Sequence, residues 1–99
     1  MFPKKKRIVD ASVLDMVRKR NCEVCGKRAT AAEPSQACHI RSRGAGGDDT
    51  WENIYAGCAE CHHLQHLKGF AYMFEKYPFF KQVVYHKGWY LDGNKKLRR

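Results

Sequence analysis

The chain has 99 residues, five of them cysteine, and its 19 Lys and Arg against 10 Asp and Glu give a net charge of +9. A chain of this length fits one domain with only a modest core, so a loop-rich fold needs a staple. The N-terminal Met-Phe-Pro-Lys-Lys-Lys-Arg has no apolar stretch after its charges, and no run approaches the roughly 18 apolar residues of a membrane span. The expectation is a cytoplasmic protein with reduced cysteines and no membrane partner.

The excess charge is clustered at Lys4 to Arg7, Arg18 to Arg20, Lys27-Arg28, Arg41 with Arg43, and Lys95 to Arg99. Phosphate backbones attract such clusters through coulombic steering and counterion release, so a nucleic acid is the partner the charge points to. Pro3 to Val9, with Lys4, Lys5, Lys6 and Arg7, resembles a nuclear localisation signal. An arm that grips phosphates is the simpler account of them.

Along the chain, a basic arm over residues 1–9 leads into a helix capped by Asp10 or Ser12 and running to about Lys19. Val13, Leu14 and Val17 form its apolar stripe. Cys22-Glu-Val-Cys25-Gly26 has the shape of a zinc knuckle. A loop containing Pro34 follows, then a short strand over Ala37 to Arg41 and a flexible turn over Gly44 to Asp49. Thr50 to Asn53 reads as one helical turn, Ile54 to Gly57 as a second strand, and a helix from about Ala59 carries Cys61, His62, His63 and His66. Phe70, Phe74 and Tyr77 then make one helical stripe, and Phe80, Val83 and Val84 another after Pro78. Trp89 to Leu91 is a short extended segment, and residues 92–99 form a frayed basic tail. Aromatic residues at helical spacing are read as core.

The strongest motif is the pair of Cys-x-x-Cys knuckles, Cys22/Cys25 and Cys58/Cys61. Four thiolates satisfy the tetrahedral preference of Zn²⁺ and leave no open position, so this metal holds the fold and does no chemistry.

Between the knuckles lies Cys38-His39-Ile40-Arg41-Ser42-Arg43-Gly44-Ala45-Gly46-Gly47-Asp48-Asp49-Thr50-Trp51-Glu52-Asn53. His39 precedes Asn53 by 14 positions, and Asn53 precedes His62 by 9. This pattern resembles the HNH nuclease family, the ββα-metal fold, closely from Cys22 to His66. The segments Arg41–Asp49, Lys76-Tyr77-Pro78 and Gly88-Trp89 are similar to small phage and prophage HNH proteins. The resemblance implies an α+β fold: a ββα-metal core over residues 22–66, flanking helices and a helical extension over residues 67–91. It also implies a metal-dependent endonuclease or nickase that hydrolyses DNA phosphodiester bonds, with His39, Asn53 and His62 as catalytic residues.

Physical chemistry supplies a role for each. An imidazole such as His39 accepts a proton near neutral pH, as a general base must. His62 and His66, at i and i+4, share one helix face and can grip one divalent ion, whether Mg²⁺, Mn²⁺, Ni²⁺ or Zn²⁺. By resemblance, Asn53 ties its loop to the backbone near His39. Arg41 and Arg43 would clamp phosphate. Cys38 stands where many relatives carry Asp or His, so it is a soft ligand to the catalytic metal, a bystander whose place water fills, or the mark of a weakened site, and the bystander reading is preferred. A thiolate suits magnesium poorly, and Cys38→Asp is expected to favour magnesium-supported cleavage. The competing function is a zinc-stabilised DNA-binding adaptor without catalysis. A protein-interaction zinc finger is a third class, which would not need so basic a surface.

Overall fold

The computed structural model describes residues 8–99. The expected arm residues Lys4, Lys5, Lys6 and Arg7 lie outside this range. Helix α1 (Ala11–Arg18) is capped by Asp10, whose Oδ1 accepts from the N–H groups of Ser12 and Val13 and from the Ser12 hydroxyl. Strands β1 (Gln36–His39) and β2 (Ile54–Gly57) pair antiparallel, with Gln36 opposite Gly57 and His39 opposite Ile54. Helices α2 (Ala59–Lys68), α3 (Phe70–Lys76) and α4 (Pro78–His86) follow. Short strands β3 (Tyr90–Leu91) and β4 (Leu97–Arg98) complete the α+β architecture.

The β1–β2 hairpin is packed on both faces, because successive strand side chains point to opposite sides. Ile54 and Ala56 meet Leu14 and Val17 of α1, with Ala37 beside them. On the opposite face Cys38 and Tyr55 join Met73, Phe74, Phe80, Val84 and Trp89 in the larger core. Phe80 is fully buried at its centre, 4.8 Å from the Tyr55 ring and 5.7 Å from Phe74. The aromatic stripes of α3 and α4 are thus core, as their spacing predicts.

Three segments depart from the expected elements. Strand β1 stops at His39 rather than Arg41, because the Asn53 side chain and carbonyl take over the bonding of residues 40 and 41. The glycine-rich turn is tied down: a 3₁₀ turn spans Arg43–Ala45, and Gly47 N–H donates to the Ser42 carbonyl at 2.8 Å. Gly47 sits so close to the neighbouring chain that a Cβ there would lie 1.8 Å from the Arg41 carbonyl oxygen. The expected basic tail is instead a hairpin. Asp92 turns it, accepting from the N–H groups of Asn94 and Lys96 and pairing with Arg98 at 2.8 Å.

Candidate active site

Cys22 and Cys25 lie on the loop after α1, and Cys58 and Cys61 at the start of α2. Their four sulfur atoms all lie within 4.8 Å of one another, and no disulfide links them. Zinc–sulfur bonds of about 2.3 Å place tetrahedral thiolates about 3.8 Å apart. The Cys25 and Cys58 sulfurs already stand at 3.8 Å. Burial opposes a thiolate at Cys22, but backbone N–H groups of Cys25, Cys58 and Val24 outweigh it and hold its pKa down to about 7. Burial and the Cys58 sulfur push Cys61 up. Four crowded thiols cannot all ionise without a cation between them, and a bound Zn²⁺ removes that conflict. The cluster fits a structural zinc. Glu23, inside the first knuckle, locks it to β2: its N–H donates to the Ala56 carbonyl at 2.8 Å and its carboxylate accepts from Ala56 N–H at 2.9 Å.

An open cleft of about 500 Å³ runs beside β1, lined by Ala37, His39, Ile40, Ser42, His62, Gln65 and His66. Helix α2 supplies its histidines. The Nε2 atoms of His62 and His66 stand 3.1 Å apart. Gln36 Oε1 lies 2.5 Å from His62 Nδ1 and accepts its N–H, which leaves the His62 Nε2 lone pair free to bind. Two imidazoles sharing an ion at about 2.0–2.1 Å place their nitrogens about 3 Å apart, so the pair fits one divalent ion. Burial, and then the neighbouring His66 and His39, lower the pKa of His62 and favour the neutral, ligating ring. Among the described residues, the four cysteines are the one cluster of three or more potential ligands, so the two histidines form an open, partial set.

Cys38 is not part of that set. It is fully buried, and burial raises its pKa to about 12, so it stays a protonated thiol. Its sulfur fills the space over Gly57, where a Cβ would lie 2.9 Å from it and 3.1 Å from the Tyr55 ring. The alternation that brings His39 to the cleft turns its neighbour Cys38 into the core. The soft-ligand role considered for Cys38 is therefore corrected: it is a core residue.

His39 ends β1 with its side chain only 11% exposed, and its Nε2 lies 2.7 Å from Asp49 Oδ1. Asp49 has a fully buried side chain and was absent from the sequence candidates. Its Oδ2 accepts from Asp10 N–H at 3.1 Å, and its own N–H donates to the Ile8 carbonyl at 2.8 Å. Ile8 N–H in turn donates to Asp48 Oδ1 at 2.7 Å. The segment leading into α1 is thus laced onto residues 48–49. The available clue was a pair of carboxylates in a basic chain, within a turn that must fold back to bring Asn53 beside β1.

Asn53 is buried and holds that turn closed. Its Oδ1 accepts from Arg41 N–H at 2.8 Å, and its Nδ2 donates to the carbonyls of Arg41 at 3.1 Å and Asp48 at 2.9 Å. Gln65, also missed, joins α2 to β1 by donating from Nε2 to the His39 carbonyl at 3.2 Å and accepting from the Tyr55 hydroxyl. Its place between His62 and His66 on one helical face was the signal. The exposed Arg41 side chain borders a neighbouring hollow with Asp48 and Arg99, and Arg43 opens the 3₁₀ turn. His63 and His86 are exposed.

No described helix is long and apolar enough to cross a membrane. No curated protein and no solved structure matched the chain. A model of the HNH endonuclease family matches residues 22–68, the stretch from the first knuckle to the end of α2 that holds both cysteine pairs, the hairpin and the cleft histidines. Residues 22–68 are an HNH endonuclease domain.

Proposed function

We propose that this protein is a metal-dependent endonuclease that hydrolyses DNA phosphodiester bonds, with His39 as general base. HNH nucleases act on DNA, and the charge of +9 suits that substrate. The observation that carries the proposal is the cleft in which His39, His62 and His66 meet. His39 takes the proton from the attacking water. His62 and His66 would hold the divalent ion, which when bound would stabilise negative charge on the phosphate. Asn53 keeps the 41–48 turn against β1, which positions the end of that strand. Lys4 to Arg7, Arg41 and Arg43 are assigned to phosphate contacts. A phage or prophage origin is inferred from the similarity of the Arg41–Asp49, Lys76–Pro78 and Gly88–Trp89 segments to small HNH proteins of that source.

Supercoiled-plasmid nicking across magnesium, manganese, nickel and zinc is the test. Wild type should nick. His39→Ala should lose on the order of 100- to 10,000-fold in rate with DNA affinity retained. His39→Ala cutting at wild-type speed would refute the assignment. One observation favours the second reading, a DNA-binding adaptor: the two cleft histidines are joined by no third ligand among the described residues. That reading predicts salt-sensitive DNA binding with no cutting in any of the four metals.

A further inference from the structure

We infer that Asp49 is a positioning residue, which locks the His39 ring in the Nε2–H tautomer and leaves Nδ1 as its basic atom. The inference rests on the reading of His39 as general base. A carboxylate offers only acceptors, so the 2.7 Å contact between Asp49 Oδ1 and His39 Nε2 requires a hydrogen on Nε2. The neutral ring then carries its lone pair on Nδ1. Asp49 can hold this line because it is itself held. Its other oxygen accepts the Asp10 N–H at 3.1 Å, and its backbone N–H is taken by the Ile8 carbonyl. The side chain is fully buried, so water does not compete for either oxygen. A carboxylate in this place also stabilises the positive ring that forms when the base takes up a proton.

The arrangement makes a sharp statement about an amide. Among the described residues, Asp49 meets the His39 ring through Oδ1 and the Asp10 N–H through Oδ2, and Asn has a single acceptor oxygen. The Asp10 backbone N–H cannot change its chemistry, whereas an imidazole can move its proton. Asn at position 49 therefore turns its oxygen to Asp10 and its NH₂ to His39, and the ring proton shifts to Nδ1. The basic atom then faces residue 49 rather than substrate.

Two-bond ¹H–¹⁵N correlation spectra of the imidazole nitrogens, in the full-length zinc-loaded protein above pH 7, read this directly. The His39 signals are assigned by their loss in His39→Ala. Wild type should show a protonated Nε2 and an unprotonated Nδ1, and Asp49→Asn should exchange the two. Plasmid nicking by Asp49→Asn should fall on the order of 10,000-fold with unchanged DNA affinity, as expected for a base in the wrong tautomer. A wild-type ring protonated on Nδ1 overturns the inference, as does an Asp49→Asn protein with unchanged tautomer and rate. If Asp49→Asn fails to fold, the wild-type spectrum decides alone. If the tautomers exchange as expected but neither protein cuts DNA, the inference stands and only the nuclease assignment falls.

Discussion

Asn53→Ala is the substitution whose cost can be worked most fully from the structure. The wild-type side chain is 3% exposed and makes three hydrogen bonds, to Arg41 N–H, Arg41 C=O and Asp48 C=O. Each such bond contributes about 0.5–1.5 kcal/mol net, and backbone groups left unpaired and dry cost more. Alanine should therefore destabilise the domain by about 3 kcal/mol. For a domain of this size, about 4–8 °C is lost per kcal/mol, so Tm should fall by about 12–24 °C. Asn53→Asp should do no better. One oxygen can still accept from Arg41 N–H, but the other replaces the NH₂ and faces two carbonyl oxygens. The functional consequence follows from the same bonds. Freed from Asn53, the 41–48 turn no longer fixes the position of Asp49 relative to His39. A displacement of about 1 Å at a reacting group can cost on the order of 100-fold in rate. Thermal unfolding by circular dichroism in excess zinc, alongside plasmid nicking, measures both effects. An Asn53→Ala protein that melts within about 3 °C of wild type would show that the three bonds are worth far less than their burial implies.

Other consequences can be measured independently. Analysis of the purified, reduced protein should find one tightly held zinc, and a strong chelator should unfold the domain, since the binding energy of such a site is folding energy; a zinc-free, fully folded protein would refute the Cys22/Cys25/Cys58/Cys61 site. The double variant His62→Ala/His66→Ala should lose nicking in every metal while keeping its fold and its structural zinc, and full activity would place the catalytic ion elsewhere. Cys38→Ala should cost only about 1 kcal/mol for a small cavity, whereas Cys38→Asp buries a carboxylate in the core and should destabilise the fold rather than favour magnesium; a Cys38→Asp protein with wild-type Tm and faster magnesium-supported cleavage would mean that residue 38 faces the cleft. Because the His62 pKa is lowered from 6.5, its neutral form persists as pH falls through that value. The His62 share of nickel binding, read by calorimetry on His66→Ala, should accordingly be lost only below pH 6.5, and a midpoint above it would contradict the placement of His62.

The sequence by itself determined the parts of this protein that depend on local spacing. Two residues between paired cysteines let each knuckle present both sulfurs together, so the four-cysteine cluster was legible without coordinates. Helical periodicity assigned Phe70, Phe74 and Phe80 to the core, and the i, i+4 interval put His62 and His66 on one face. Tertiary structure decided what depends on distant segments meeting. Cys38 could be a ligand or a bystander until the pairing of β1 with β2 showed which strand face reaches the larger core. Asp49 looked like one polar residue in a glycine-rich turn, because its partners His39 and Asp10 lie 10 and 39 positions away in the chain. Lys87 is the sharpest case. Its sequence context is that of a solvated cation after a helix, yet it is 6% exposed, donates to the Trp51 carbonyl at 3.0 Å and stands 3.4 Å from the centre of the Trp51 ring. An ammonium can be buried only where an acceptor and a π face already wait for it. Here one residue, Trp51, 36 positions away in the chain, supplies both, an arrangement that exists only once the chain has folded.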